Sequence, residues 1–226
     1  MTLTLHTVSG APRGWRVLLG FAFKGLEYNT RYLQSSKREH KMPAFLALNP
    51  RGTVPVVEAG DRILRDSIGI LAWLDRQHPE NPLFGETAEE AAEIWQIALE
   101  CCDYLRDAIT GVLAPAFTGD GSVPPLDSDE MIALNTAARV LHDECRFVED
   151  LLADRPFLAG NAPSAADAVA FPEIRLIQRA VETKPKLMSA LGFANPPFSY
   201  PKLDAWKARI ESLPGVDKTF PIHWNA

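Results

Sequence analysis

Val54-Pro55 lies inside a run, Thr53 to Glu58 (TVPVVE), that otherwise alternates like a β-strand. Proline has no N–H to give to a ladder, and interior strands normally exclude it. Two arrangements resolve the conflict: an edge strand, or a cis peptide that turns the neighbouring backbone N–H and C=O outward toward a ligand. Cis forms make up only about 5–6% of X-Pro bonds, so the local sequence favours the edge strand. A second signal is Asp66-Ser67 ahead of an apolar helical run. Asp and Ser are favoured caps, and the first free N–H groups of the helix suit an anionic carboxylate. A plain N-cap is the commoner meaning of such a pair. The third is SGAPRGWRV (Ser9 to Val17), which gathers small residues, a hydroxyl and two arginines where a helix begins. Such a junction can stabilise a substrate thiolate, while in isolation a glycine-proline turn with solvated arginines explains it better.

Other candidates carry less. The capping box Ser164-Ala165-Ala166-Asp167 reads as structural, because its Ser and acidic side chains can satisfy each other's backbone donors. The first 100 residues hold no cysteine, which excludes a C-x-x-C site or a cysteine nucleophile there. His142 and Cys145 stand three apart on a predicted helix with no further ligand in register, a surface histidine beside a core thiol rather than a metal site. His6, His78 and His223 stand alone, and no metal is expected.

The elements that must position these residues follow from periodicity. Thr2 to Val8 and Glu27 to Leu33 read as strands flanking a helix over Arg16 to Lys24. Thr53 to Glu58 and Arg62 to Leu64 are short strands joined by the turn Ala59-Gly60-Asp61, and Ser67 to Gln77 runs helical. The front order is therefore β-α-β, a short helical segment, then β-β-α. Beyond Pro79 to Pro82, Glu89 to Leu113 places Ile94, Ile97, Cys101, Leu105, Ile109 and Val112 at steps of three and four, which predicts a long amphipathic helix. A loop over Phe117 to Ser128 precedes a second helix carrying Met131, Leu134, Ala138, Leu141, Cys145, Val148 and Leu152. A third helix begins at Ser164 and a fourth covers Lys202 to Ser212. Two domains result, an α/β unit over 1–80 and an all-α bundle over 84–226, joined by a linker at 81–83.

With 226 residues, 46% hydrophobic and 23% charged, the chain has the balance of a folded globular protein. Three cysteines are too few and too irregular for a secreted framework, so a reducing compartment is expected. The longest uncharged stretch, Leu187 to Pro201, is broken by three prolines and too short to span a bilayer. MTLTLHTVSG lacks the start of a signal peptide, and a cytoplasmic location follows. A net charge of −6 argues against nucleic-acid binding. The charge is uneven: residues 1–80 hold 11 basic and 7 acidic side chains, residues 81–226 hold 12 and 22, so the front third is the part that attracts a small anion.

Taken together, NPRGTVPVVEAGDRILRDSIGILAWLD (Asn49 to Asp75) resembles the glutathione-binding stretch of the glutathione S-transferase family, N-P-x-G-x-V-P-x-L followed by a turn and [ED]-S-x-x-I-x-x-Y/W-L. WRVLLGFAFKGLEY looks like the family's first helix and second strand, and FLAGNAPSAADAVAFP like its late capping box and helix. The resemblance implies a thioredoxin-like front domain, an all-helical second domain, glutathione as co-substrate, and an apolar electrophile between the two. It implies that Val54, presented by a cis Pro55, pairs with the cysteinyl part, and that Ser67 and Asp66 receive the γ-glutamyl end. His40, in EHKMPAF, matches a position that holds the glycyl carboxylate in theta-like members, with Thr53 a polar neighbour and Lys41 beside them. A homodimer is also implied.

Catalysis in this family needs the bound thiol ionised, and a free cysteine thiol has a pKa near 8.5. Lowering it by about two units takes roughly 2.7 kcal/mol of preferential stabilisation of the anion. Ser and Cys classes open this loop with S-P-x-x-x-[RK]-V, whereas here Ala11-Pro12-Arg13-Gly14-Trp15-Arg16-Val17 stands, so Ala11 occupies the place of the catalytic hydroxyl. Ser9, Arg13 or backbone N–H groups at the helix start are the remaining candidates for the thiolate. No Tyr lies in the first strand, which disfavours a tyrosine-type enzyme, and the missing serine pair weakens a zeta-class isomerase. The expected activity is conjugation of glutathione to a hydrophobic electrophile. A glutathione-dependent isomerase, dehalogenase or peroxidase and a non-catalytic binder are the alternatives. Trp95, Tyr104, Phe117 and Trp224 are candidates for the co-substrate cleft, and the tail Phe220 to Ala226 either covers that cleft or is a frayed end.

Overall fold

The structure, a computed structural model, describes residues 2–193 and 200–224. Part of the uncharged stretch Leu187 to Pro201 and the last two residues of the tail thus lie outside the described residues. The front part is a four-stranded mixed sheet in the order β2-β1-β3-β4, with β1 (Leu3–Thr7) parallel to β2 (Asn29–Tyr32) and antiparallel to β3 (Val56–Ala59), which pairs antiparallel with β4 (Arg62–Arg65). This is the thioredoxin-like arrangement. Alternation sends the side chains of Leu3, Leu5, Val57 and Ala59 into the main core and that of Val56 into a smaller cluster with Leu33 and Phe45. Both faces of the sheet are therefore covered.

Helix α1 (Pro12–Phe23) and helix α3 (Ser67–Gln77) pack together in the main core, and the short helix α2 (Pro43–Leu48) brings Phe45 and Leu48 to the smaller cluster. Helix α1 begins four residues earlier than its apolar pattern suggested. Pro12 occupies its first turn, where a missing N–H costs nothing and φ is already set. It lies so close to β1 that a Cβ at Gly14 would fall 1.8 Å from Thr7 Oγ1. Only glycine fits there.

Pro55 does not lie in an edge strand. β3 pairs with both β1 and β4, the strand starts at Val56 rather than Thr53, and the Val54-Pro55 peptide is cis. The proline is accommodated because it precedes the ladder instead of joining it.

The helical part follows, with α4 (Ala88–Glu100), a π-helical turn (Cys101–Leu105), α5 (Arg106–Thr118), α6 (Asp129–Leu151), α7 (Ala165–Thr183), the short α8 (Pro185–Ala190) and α9 (Pro201–Glu211). The long helix expected over Glu89 to Leu113 is thus two helices separated by the π turn, and it runs through Pro115 to Thr118. Helix α7 joins the two parts by packing along α1. At that seam Arg16 Nη2 lies 2.9 Å from Glu173 Oε1, Arg106 Nη1 lies 2.9 Å from Glu173 Oε2, and Trp15 packs edge-on against Phe171. Glu173 is fully buried, and two guanidinium groups compensate its charge. The acid of the capping box, Asp167, is equally buried and accepts from Ser164 N and Oγ, Leu158 N and Trp206 Nε1. Its role is structural, as the sequence suggested.

Candidate functional site

Register brings three distant segments to one end of the sheet. Val56 is opposite His6 on β1 and opposite Arg65 on β4. Continuing the pairing by one residue sets Pro55 beside Thr7 and beside Asp66, so the exit of β1, the entry to β3 and the entry to α3 are neighbours about 5 Å apart. The loop Ser9 to Arg13, Val54-Pro55 and Asp66-Ser67 therefore converge, although Asp66 follows Arg13 by 53 positions.

Asn49 shapes the loop before Pro55. Its buried amide donates to Thr53 O at 2.7 Å and to Thr53 Oγ1 at 3.1 Å, and its Oδ1 accepts from Arg51 N. Among the described residues, the N–H and C=O of Val54 have no hydrogen-bond partner. An extended peptide laid alongside would find both groups waiting. Next to this loop, Lys41 Nζ donates to Arg51 O at 3.1 Å, and a Cβ at Gly52, where φ is +59°, would fall 2.8 Å from His40 O. His40 and Thr53 are thus on adjoining segments, and the buried His40 Nδ1 has no partner among the described residues.

At α3, Asp66 holds φ at +74°, a conformation that costs a non-glycine residue free energy and concentrates at functional sites. Its Oδ1 caps the helix, accepting from Ile68 N at 2.9 Å and Gly69 N at 3.2 Å. Capping by Asp66 takes those N–H groups and leaves that of Ser67 unpaired among the described residues, as is the Ser67 hydroxyl, although Ser67 is only 2% exposed. A hydroxyl and an N–H without partners among the described residues, at the positive end of an eleven-residue helix, suit an anionic carboxylate. The plain N-cap accounts for Asp66 but not for Ser67.

The loop after β1 differs from its sequence reading in one respect. Of the two arginines at the junction, Arg16 is 2% exposed, donates to Glu173 and to Cys102 Sγ, and so faces the seam between the two parts. Arg13 alone stays exposed. Ala11 is the N-cap residue of α1 and offers no side-chain cap. Pro12 has no N–H, and Gly14 N and Trp15 N both bond to Ala11 O, so Arg13 N is the one N–H left at this helix start among the described residues. Ser9 Oγ accepts from Ile222 N at 3.1 Å and lies 3.3 Å from His223 Nδ1. Nothing local in the sequence hints at that contact, because a lone histidine 214 positions away has no local signature.

The remaining candidates lie elsewhere. Trp95 stacks on Phe84, while Tyr104 and Phe117 are exposed. Trp224 packs edge-on against Trp15, so the described part of the tail is not frayed but folded over α1. Burial pushes the Cys145 thiol up to about 12 and raises Cys102 despite the adjacent Arg16, which leaves neither as a ready nucleophile. His142 is not at the surface: it is half-buried, stacked on Phe193, with its two ring nitrogens on Tyr200 Oη and Leu191 O. Among the described residues there is no cluster of metal-ligating side chains and no helix long and apolar enough to cross a membrane. A cavity of about 760 Å³ lies at the opposite end of the sheet, between Thr2, Gly25, Asn29 and Lys218, away from the convergent loops.

The glutathione S-transferase N-terminal domain model matches residues 11–77, and the glutathione S-transferase C-terminal domain model matches residues 123–214. Glutathione S-transferase 1 of Dianthus caryophyllus is 36% identical over 96 residues, which is 42% of this chain and 43% of that protein, less than half of its length. Glutathione S-transferase theta-1 of Bos taurus is 29% identical over 209 residues, 88% of this chain and 79% of that one. A solved glutathione S-transferase from the Antarctic clam Laternula elliptica superposes with a TM-score of 0.83 at 26% identity, over 100% of this chain and 94% of the other.

Proposed function

The chain belongs to the glutathione S-transferase family, and from that premise we propose that it conjugates the glutathione thiolate to a hydrophobic electrophile. The observation that carries the proposal is the convergence, at one sheet end, of the Val54 backbone with the N–H and hydroxyl of Ser67, all unpaired among the described residues. In this reading the tripeptide lies extended across the gap. Its cysteinyl N–H and C=O pair with Val54 beside Pro55, and its γ-glutamyl carboxylate sits on Ser67. Its ammonium meets Asp66, and its glycyl carboxylate meets His40 and Thr53. The sulfur then points to the loop of Ser9, Ala11 and Arg13. The thiol gives its proton to water, and the thiolate forms the new S–C bond as the leaving group departs with the bonding pair of the bond it breaks.

The same reading divides the chain into residues 1–80 and 84–226 with a linker at 81–83, and places a homodimer in the cytoplasm with a part in detoxification. Tyr104, Gly111, Ala137 and Val140 line an apolar groove between α5 and α6, which supports a self-association face.

The test is turnover with a generic aryl halide and with an organic hydroperoxide, alongside glutathione affinity. Turnover of the aryl halide at the rate of glutathione consumption is the expected result. Affinity without turnover of either would make the protein a binder, and turnover of the hydroperoxide alone would make it a peroxidase.

A further inference from the structure

The tail beyond α9 contributes a side chain to the loop that lacks its usual hydroxyl. Thr219 Oγ1 accepts from Trp15 Nε1 at 2.9 Å, and the rings of Phe220 and Trp224 meet Trp15 edge-on, each with a centroid separation of 5.2 Å. From α7, Arg175 lies over both rings and Arg179 over that of Trp224. These contacts hold the short turn Ile222–Trp224 against the start of α1. His223 is thereby set over Gly10. A Cβ on Gly10 would fall 2.9 Å from His223 Cε1 and 3.5 Å from Nε2, and φ there is +79°, so both space and backbone call for glycine.

The hydrogen bonding orients the ring. Ser9 Oγ already accepts from Ile222 N, so its proton is free to go to His223 Nδ1, 3.3 Å away. A neutral imidazole that accepts at Nδ1 carries its proton on Nε2 and has one N–H left to give. That N–H stands over Gly10, next to Ala11.

We propose that His223 is the catalytic donor to the glutathione sulfur, taking the place of the hydroxyl that Ala11 lacks, and that Ser9 is the positioning residue that fixes its ring. This inference rests on glutathione being seated along Val54 and Ser67. The bound S–H gives its proton to water, and the thiolate accepts a hydrogen bond from Nε2–H. The charged groups on the elements packed against the tail are Arg175 and Arg179 on α7, which lie over the Phe220 and Trp224 rings and pair with Glu211 and Glu182, and Arg13 in the first turn of α1. Asp217 and Lys218 belong to the preceding turn of the tail.

The experiment follows the ultraviolet absorbance of the bound thiolate against pH in the wild type and in His223→Ala, His223→Gln and Ser9→Ala. The affinity of S-methylglutathione, which has no thiol to ionise, is measured in parallel by calorimetry. His223→Ala is expected to move the thiol titration up by about one to two pH units, the worth of one hydrogen bond to a charged group, and to lower kcat/KM at neutral pH by about ten- to a hundredfold. His223→Gln keeps an amide N–H near the position of Nε2 and should recover most of that loss. Ser9→Ala should shift the titration in the same direction by less. S-methylglutathione should bind all four proteins alike. A thiol titration in His223→Ala that matches the wild type, or a Gln variant as impaired as the Ala variant, overturns the role of His223 while leaving the glutathione site standing. Failure of the wild type to bind S-methylglutathione overturns both.

Discussion

Ser67 shows how a neighbour can free one position for binding. Asp66 takes the capping role at a positive φ, and its Oδ1 satisfies the second and third N–H groups of α3. Ser67 is then left with a hydroxyl and an N–H that have no partner among the described residues and are open to a ligand. We expect Ser67→Ala to weaken glutathione binding by about 1–3 kcal/mol, because the lost bond is to a charged carboxylate. Calorimetry checks it, and unchanged affinity would show that the γ-glutamyl end sits elsewhere. Asp66-Ser67 could be found from sequence because a cap is a local device read over three residues. His223 could not, since its significance comes from Trp15, Ser9 and Gly10, all more than 200 positions away. The burial of Arg16 is hidden from sequence for the same reason: its partner Glu173 lies across the seam, and a guanidinium at a helix start looks alike whether solvated or buried.

Helix α7 depends on one buried carboxylate. Burial raises the pKa of Asp167 from its usual value, opposed by hydrogen bonds from Leu158 N, Trp206 Nε1 and Ser164. Removing it strands several buried donors at once. Asp167→Ala is therefore expected to lower the free energy of unfolding by about 3–5 kcal/mol, measured by denaturant titration. A loss below about 1 kcal/mol would contradict this account of the cap. The capping motif and helices α3 and α6 were readable because apolar period and cap chemistry agree at each. The π turn between α4 and α5 had a signal that averaging hides: Ile97, Cys101, Leu105 and Ile109 advance by four three times running. An α-helix needs alternate threes and fours to keep one face buried, whereas a wider turn over Cys101–Leu105 keeps all four side chains within 2% exposure. Pro55 shows the opposite case, since the alternation of Thr53 to Glu58 describes a strand that starts three residues before the real one at Val56.

The two parts of the chain work together through α1. One face of this helix closes the sheet, its far side packs on α7, and its first turn forms the loop on which the tail folds. The excess of basic side chains in the front third favours a small anion there, and register sets where the proposed site lies. That register, with β3 inside the sheet and β4 returning to α3, followed from the strand order but not from any single strand. The central claim is that a tripeptide occupies the sheet end where β1 exits and β3 and α3 begin. A crystal structure of the protein with glutathione tests it most directly. The account predicts an extended tripeptide with its cysteinyl backbone on Val54, its γ-glutamyl carboxylate on Ser67, and its sulfur between Ala11 and His223. Glutathione bound elsewhere, or in the reverse direction along Pro55, would contradict it.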